Sequence, residues 1–363
     1  MPWQEIFVVA ELIFELGMRS SWQQKIASQN KLLLRNHMIS DSFGRIHDYL
    51  RISLTDNCNF RCFYCMPEEE YDFAPTSRLM QTDEIIHLAR IFVEQGVKKI
   101  RLTGGEPLVR KDAASIISEL GKLPVELVIT TNGTRIAEML PVLKEAGIKS
   151  INISLDTLQP EKFMLITRRD VFHQVRSNIE LLLQEKITVK INMVVMKGMN
   201  DGEIKDFINW TKHNPIQVRF IEFMPFNGNK WTSNKMYSLQ EILSKIQQDF
   251  TVLPVGGVAH DTAKHFRIPG HEGSFAIIST MTEPFCSTCN RMRLTADGKL
   301  KNCLFSNGET DLLSALRNKE EVLPLILESI MSKKKELGGQ MITDFKHIDP
   351  NTIKNRSMIT IGG

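Results

Sequence analysis

The chain is 363 residues long, 42% hydrophobic and 24% charged, with a formal net charge of +3. Such a length holds one large domain and a smaller one, and the charge balance gives no reason to expect a nucleic-acid partner. No stretch approaches the ~20 apolar residues of a membrane helix, so membrane-spanning functions are set aside as well.

The apolar stretch Ile6 to Leu16 is broken by Glu11 and Glu15 and preceded by Glu5. A secretory signal wants a basic start and an unbroken apolar core, and a transit peptide is poor in acids, so neither fits. Residues 1–41 read as an N-terminal extension, in which 1–37 are either an added helix or sequence upstream of the true start.

Short apolar strands then alternate with amphipathic helices. The strands are expected at Tyr49–Leu54, Ile100–Thr103, Leu127–Thr131, Ile151–Leu155, Val189–Val195 and Val218–Phe223. Runs this short and rich in Val, Ile and Leu suit strands covered on both faces of a parallel sheet. The clearest helix follows Thr82, where Ile85, Leu88, Ala89 and Phe92 share one face. Thr82 is the expected cap and Gly96 the expected stop. Further helices are expected at Ala113–Leu120, Ile136–Ala146, Val171–Glu185 and Glu203–Lys212.

Six strands with helical crossovers predict an α/β fold, an open partial (β/α)6 barrel of TIM type over residues 42–262. Its chemistry is expected at the C-terminal ends of the strands. Beyond about residue 226 the alternation stops. Gly256-Gly257, Pro269-Gly270 and Gly273 punctuate short strands, and helices follow residue 311. Residues 263–363 read as a smaller α+β region. Lys333-Lys334-Lys335, the densest basic run, reads as a solvated helix face.

All six cysteines fall into two triplets. Cys58, Cys62 and Cys65 have three and then two residues between them, and Cys286, Cys289 and Cys303 have two and then thirteen. A disulfide framework does not suit a chain this long without a signal peptide, so a reducing compartment is expected. Each triplet is one thiolate short of a closed four-cysteine site. Two readings stand: a four-iron cluster with one iron left open, or zinc completed by a further ligand. The first loop holds no His or fourth Cys, whereas His260, His265 or His271 would serve the second.

The first triplet, with Tyr64 as the aromatic before Cys65, resembles the Cys-x3-Cys-x-aromatic-Cys signature of the radical S-adenosylmethionine (SAM) superfamily. Thr103-Gly104-Gly105-Glu106-Pro107 looks like the motif that meets the SAM amino group in that superfamily. The segment Phe285 to Leu294, followed by Cys303, is more specific: it resembles the GTP 3′,8-cyclase family, which acts first in molybdenum cofactor biosynthesis. That resemblance runs over about residues 42 to 363 and includes the Gly362-Gly363 end.

The resemblance implies two four-iron clusters, on Cys58, Cys62 and Cys65 and on Cys286, Cys289 and Cys303, with Tyr64, Gly105, Ser154 and Met224 contacting SAM. Glu106 would accept from the SAM amino group or brace its own loop. The chain has no Gly-x4-Gly-Lys-Ser/Thr phosphate loop, so side chains must hold the triphosphate. Arginine suits that task because its fork pairs with phosphate oxygens. Arg51, Lys99, Arg101, Lys190, Arg219, Arg291 and Arg293 match basic positions of the family, and Thr130 matches a substrate-contacting threonine. Arg51 and Lys190 lie in otherwise apolar strands, where an unpaired charge is costly.

The activity implied is conversion of GTP to 3′,8-cyclo-7,8-dihydro-GTP, with the product passing to a cyclic pyranopterin monophosphate synthase. An electron donor and a homodimer are expected, with no membrane partner. The location would be cytoplasmic in a bacterium and the mitochondrial matrix in a eukaryote. The tail would thread into the active site. Two other readings are a radical SAM enzyme acting on a peptide and a non-catalytic metal-binding module.

Overall fold

The computed structural model describes residues 38–66, 73–226, 228–257, 260–341, 345–349 and 352–362. The reading of residues 1–37 and of Gly363 lies outside them.

The six expected strands are all present: β1 (Tyr49–Ser53), β2 (Lys99–Thr103), β3 (Glu126–Thr131), β4 (Ser150–Ser154), β5 (Thr188–Val195) and β6 (Gln217–Glu222). The C-terminal part adds β7 (Leu253–Val255), β8 (Lys264–Arg267), β9 (Ser274–Ile278), β10 (Arg291–Leu294), β11 (Lys299–Lys301) and β12 (Thr310–Asp311). All twelve form one sheet in the order β12-β11-β10-β1-β2-β3-β4-β5-β6-β9-β8-β7. From β10 to β9 every neighbour is parallel. The parallel run therefore has eight strands, two of them from the C-terminal region. Antiparallel hairpins finish both ends, so the sheet is an open, partial barrel.

The strands differ from expectation in one respect that matters for function. They are not apolar on both faces. Leu50, Ile52, Ile100, Leu102, Ile151, Ile153, Val189, Ile191, Val218, Phe220, Met292 and Leu294 are fully buried on the outer face. The residues between them are polar or charged. Successive strand side chains point to opposite faces, so Arg51, Arg101, Lys190, Arg219, Arg291 and Arg293 all face inward. Arg219 on β6 is influenced by Arg101, Tyr49 and Arg291 on strands well across the sheet, which shows how far this face curls.

Helices cover the outer face. Those of the core are α1 (Thr82–Glu94), α2 (Ala113–Gly121), α3 (Ile136–Glu145), α4 (Pro160–Thr167), α5 (Phe172–Gln184) and α6 (Ile204–Trp210). Further on lie α7 (Leu239–Gln247), α8 (Leu312–Arg317), α9 (Val322–Met331) and the short α10 (Met358–Ile361). Ile85, Leu88, Ala89 and Phe92 of α1 are each 0% exposed against the sheet. The cap of α1 is Gln81, whose N–H donates to the Glu84 carboxylate at 2.7 Å. Thr82 is one residue inside, and its hydroxyl donates to Asp112 instead. Gly96 follows the helix with φ 90°, as a stop residue should.

Candidate active site

The first cysteine triplet lies on the loop leaving β1, at the C-terminal end of the parallel strands. Two glycines set that loop. Gly105 N–H donates to the Thr55 carbonyl at 2.7 Å and Glu106 N–H to the Asn57 carbonyl at 2.8 Å. A Cβ on Gly105 would lie 2.4 Å from the Asn57 carbonyl oxygen, and one on Gly104 2.5 Å from that of Thr55. Only glycine lets the two loops lie this close.

Glu106 braces the arrangement. It is 1% exposed. One carboxylate oxygen accepts from Thr131 Oγ1 at 2.7 Å and Leu108 N–H at 3.1 Å, and the other from Asn132 N–H at 2.6 Å. Burial pushes the carboxyl up to about 7, against these donors. Of the two roles open from sequence, bracing is the one built here.

Burial raises the Cys58 thiol to about 11 and the Cys65 thiol to about 12, and holds Cys62 well above its ordinary value. The neighbouring thiols oppose one another's ionisation, so three thiolates need a cationic centre. Phe60 N–H points at Cys58 Sγ at 3.4 Å, a donor suited to a metal-bound thiolate. Tyr64 O–H donates to Asp156 Oδ2 at 2.7 Å. Asp156 also accepts from Val194 N–H at 2.9 Å, and burial brings its carboxyl up to about 6. Asp156 thus ties the cysteine loop to β5. Ser154 ends β4 beside Asn192. Met224, Tyr64, Phe63 and Cys303 pack against one apolar cluster built on Phe223, Phe226, Trp231, Phe305 and Ile361. That cluster joins the first loop, the end of β6, the second triplet and the tail.

The second triplet sits on the approach to β10 and the turn after β11. Leu337 N–H points at Cys286 Sγ at 3.4 Å, and Lys333 Nζ lies 3.7 Å from Cys289 Sγ. Burial opposes ionisation of Cys289, but Lys333 and Arg291 outweigh it and hold the thiol below its ordinary value. Burial raises Cys286. The sequence placed Lys333 on a solvated face. It is 4% exposed instead, because the chain after α9 folds back over the cysteine loop, while Lys334 and Lys335 stay outside.

Of the histidines weighed as zinc ligands, His265 and His271 are engaged away from the second triplet, whereas His260 hydrogen-bonds within its loop. His260 Nδ1 lies 2.8 Å from the Thr288 carbonyl, His265 Nε2 lies 2.5 Å from Asp261 Oδ2, and His271 Nδ1 lies 2.8 Å from Thr211 Oγ1. Three thiolates with amide and ammonium donors at sulfur fit a metal-bound set, as an iron–sulfur cluster would need.

Between the triplets the inner face is cationic. Arg293, Arg51 and Arg101 stand side by side on β10, β1 and β2. One row toward the strand starts lie Arg291, Tyr49, Lys99 and Glu126. Burial, with Arg293, Arg101 and Arg291 around it, pushes the Arg51 guanidinium well below its ordinary value. Burial likewise brings Arg293 and Arg219 to about 10 and lowers Lys190. Like charges side by side are unfavourable, so this surface is built for an anion. Arg291 Nη1 is buried with no acceptor among the described residues. Arg101 donates to Thr130 Oγ1 at 3.2 Å, and its Nε donates to the Tyr49 hydroxyl. Arg219 donates to Asn192 Oδ1 at 2.6 and 2.9 Å. Lys99 turns to Glu126 at 2.9 Å, where the lysine is 30% exposed.

Two inner-face residues escaped the sequence reading. Tyr49 lies under Arg291, 5.4 Å from its ring centroid, and beside Lys99 at 5.6 Å. Burial opposes its ionisation, yet Arg101, Arg51 and Arg291 outweigh this and bring the phenol down to about 7. Asn152, 3% exposed between Thr130 and Lys190, keeps an amide oxygen with no donor among the described residues. Strand alternation was the signal for both.

Residues 52–211 match the Radical SAM superfamily model and residues 216–338 match Molybdenum Cofactor Synthesis C. Streptococcus suis SuiB, solved bound to S-adenosylmethionine, aligns with a TM-score of 0.60 at 15% identity, over 85% of this chain and 72% of that one. The fold is that of the radical SAM proteins. Molybdenum cofactor biosynthesis protein 1 of Drosophila melanogaster is 46% identical over 92% of this chain and 60% of its own length. The mitochondrial GTP 3′,8-cyclase of Arabidopsis thaliana is 46% identical over 90% of this chain and 84% of its own. The chain belongs to the GTP 3′,8-cyclase family of molybdenum cofactor biosynthesis. It spans about half the length of the curated animal relatives it matches, between 50% and 60%. Among the described residues no helix is long and apolar enough to cross a membrane.

Proposed function

We propose that the chain converts GTP to 3′,8-cyclo-7,8-dihydro-GTP. The observation that carries this reading is the row of inward guanidinium groups between the two cysteine triplets. Arg51, Arg101, Arg219, Arg291, Arg293 and Lys190 would hold the triphosphate, with Thr130 beside Arg101. Lys99, paired with Glu126, would act at the rim. Cys58, Cys62 and Cys65 would hold one four-iron cluster and Cys286, Cys289 and Cys303 the other. Gly105, Tyr64, Ser154 and Met224 would line the SAM side.

When bound, the first cluster and SAM supply a 5′-deoxyadenosyl radical. The hydrogen at ribose C3′ leaves as part of 5′-deoxyadenosine, C3′ bonds to guanine C8, and one electron and one proton complete the product. The chain's part is to orient GTP. Anchoring the phosphates fixes where C3′ and C8 lie, and an orientation gained before reaction lowers the barrier. The electron comes from a separate donor, and the product goes to a cyclic pyranopterin monophosphate synthase. The enzyme would work as a homodimer, in the cytoplasm of a bacterium or the mitochondrial matrix of a eukaryote.

The test is 5′-deoxyadenosine release by anaerobically reconstituted protein with SAM and dithionite, across the four ribonucleoside triphosphates. Stimulation by GTP alone is expected. Release indifferent to nucleotide would remove the GTP assignment and favour a peptide substrate. Iron-loaded protein that releases none would leave a metal-binding module.

A further inference from the structure

Lys333 has no part in holding GTP, yet it is buried against the second triplet. Lysine is almost never fully buried unless paired. Here it is 4% exposed, with Nζ 3.7 Å from Cys289 Sγ and 3.2 Å from the Arg291 carbonyl.

Its position is enforced from outside. Arg45 Nη1 donates to the carbonyls of Cys286 and Lys335, each at 2.7 Å, and Nη2 to that of Lys334 at 3.0 Å. Arg45 Nε is held in turn by Asp41 Oδ2 at 2.6 Å, and the same oxygen lies 3.1 Å from His47 Nε2. The segment after α9 is thereby pinned over the cysteine loop, and Lys333 cannot swing into water. The titratable and charged groups that face it include Cys289, Cys303, Arg45, Asp41 and His47. The same short segment sends Leu337 N–H to Cys286 Sγ at 3.4 Å. Two of the three sulfurs therefore meet donors from residues 333 to 337, and one donor carries a full charge.

We infer that Lys333 sets the reduction potential of the second cluster, acting through the Cys289 sulfur. The inference rests on the reading that this triplet holds an iron–sulfur cluster. Reduction adds one electron from an external reductant and makes the cluster and its thiolates one unit more negative; no bond forms or breaks. A fixed ammonium at the sulfur stabilises that state more than the oxidised one, because charge and hydrogen bonds at the sulfurs tune such potentials. Removing the charge makes the cluster harder to reduce.

The experiment uses the full chain with Cys58, Cys62 and Cys65 all changed to serine, so that only the second cluster assembles. Its potential is read by EPR-monitored titration with Lys333 intact, in Lys333→Met and in Lys333→Arg. Lys333→Met moves the midpoint to more negative values, and Lys333→Arg returns most of the shift. Equal midpoints in all three overturn the inference while leaving the cluster reading intact. No cluster signal even with Lys333 present overturns the cluster reading and the inference with it. Should Lys333→Met fail to fold, pulsed EPR of the reduced cluster in protein labelled with 15N-lysine gives the same decision. A lysine nitrogen coupled to the cluster is expected, and its absence overturns the inference.

Discussion

Arg293 donates a hydrogen bond from Nη1 to the carbonyl of Gly362 at 2.8 Å. One guanidinium of the cationic row is thus already joined to the chain's own end. The tail is held for that purpose. Arg356 grips both Asp297 oxygens at 2.8 Å and Glu309 at 2.9 Å, and Ile359 and Ile361 are 2% and 1% exposed. Gly362 has φ 82°, and a Cβ there would lie 2.7 Å from Thr103 Oγ1 and 2.9 Å from Ser53 Cβ. Gly362→Ala must therefore displace the tail from Arg293. Strain of this kind is worth about 1–3 kcal/mol, so GTP-dependent 5′-deoxyadenosine release should fall roughly tenfold or more. Removing Gly362 and Gly363 together should abolish turnover. Iron content should not change in either, and undiminished turnover would show that the tail only packs.

Tyr49 should make GTP binding sensitive to pH. Its phenol is brought down to about 7 by the arginines around it. Above that pH a phenolate in the free protein offsets cationic charge, so affinity for an anionic triphosphate falls as pH rises through 7. Tyr49→Phe keeps the ring and removes the titrating group, and the fall should disappear. The same change takes away the acceptor of Arg101 Nε. A lost bond of about 1 kcal/mol should raise KM for GTP about fivefold with little change in kcat. Equal pH profiles in the two proteins would remove Tyr49 from the binding surface.

The six core strands could be read from their apolar runs, and the two triplets from their spacing, because both signals are local. The two-faced character of the strands was equally local and was missed. Tyr49-Leu50-Arg51-Ile52-Ser53 alternates plainly, and taking the apolar residues as a run hid Tyr49 and Asn152. Helix α7 was missed too, although Ser238 and Glu241 form a reciprocal cap that Ser-x-x-Glu announces. Other features could not be read at all. The insertion of β10 beside β1 joins residues 242 apart, and hydrophobic periodicity says nothing about which strand a C-terminal segment will choose. The burial of Lys333 depends on Arg45, nearly three hundred residues earlier, so composition alone makes that lysine a surface residue.

Glu106→Gln should separate the two clusters. The carboxylate accepts from Thr131, Asn132 and Leu108, and an amide keeps only one acceptor oxygen. Leaving a buried donor unmet costs about 1–3 kcal/mol. The loop that Glu106 supports carries Cys58, Cys62 and Cys65, whereas the second triplet takes its sulfur donors from Lys333 and Leu337. Iron at the first site should fall, with the second cluster's EPR signal retained. Equal loss at both sites would mean that the brace supports the whole sheet.

The latch around the second triplet should open in acid before the core does. His47 is 0% exposed and held by Asp41, and burial with the nearby Lys333 lowers it from 6.5 to about 4. The unfolded chain therefore binds a proton between those values that the folded chain does not. Stability is fully present above 6.5 and is lost as pH falls toward 4, on the order of 3 kcal/mol. Burial opposes ionisation of Asp41, but His47 and Arg45 outweigh it and bring its carboxyl to about 2, so its own contribution is lost only below 3.8. Glu106 and Asp156, raised to about 7 and about 6, gain stability as pH falls over the same window, so His47 is read as a difference. His47→Gln cannot take up the proton, so the gap between its anaerobic guanidinium midpoint and that of the parent chain should narrow steadily from pH 7.5 through 6.5 and 5.5 to 4.5. Amide exchange should place the first opening at residues 38 to 47 and 333 to 337, since Arg45 joins those two segments. A first opening elsewhere would mean that His47 is buried without being the acid-sensitive point of the latch.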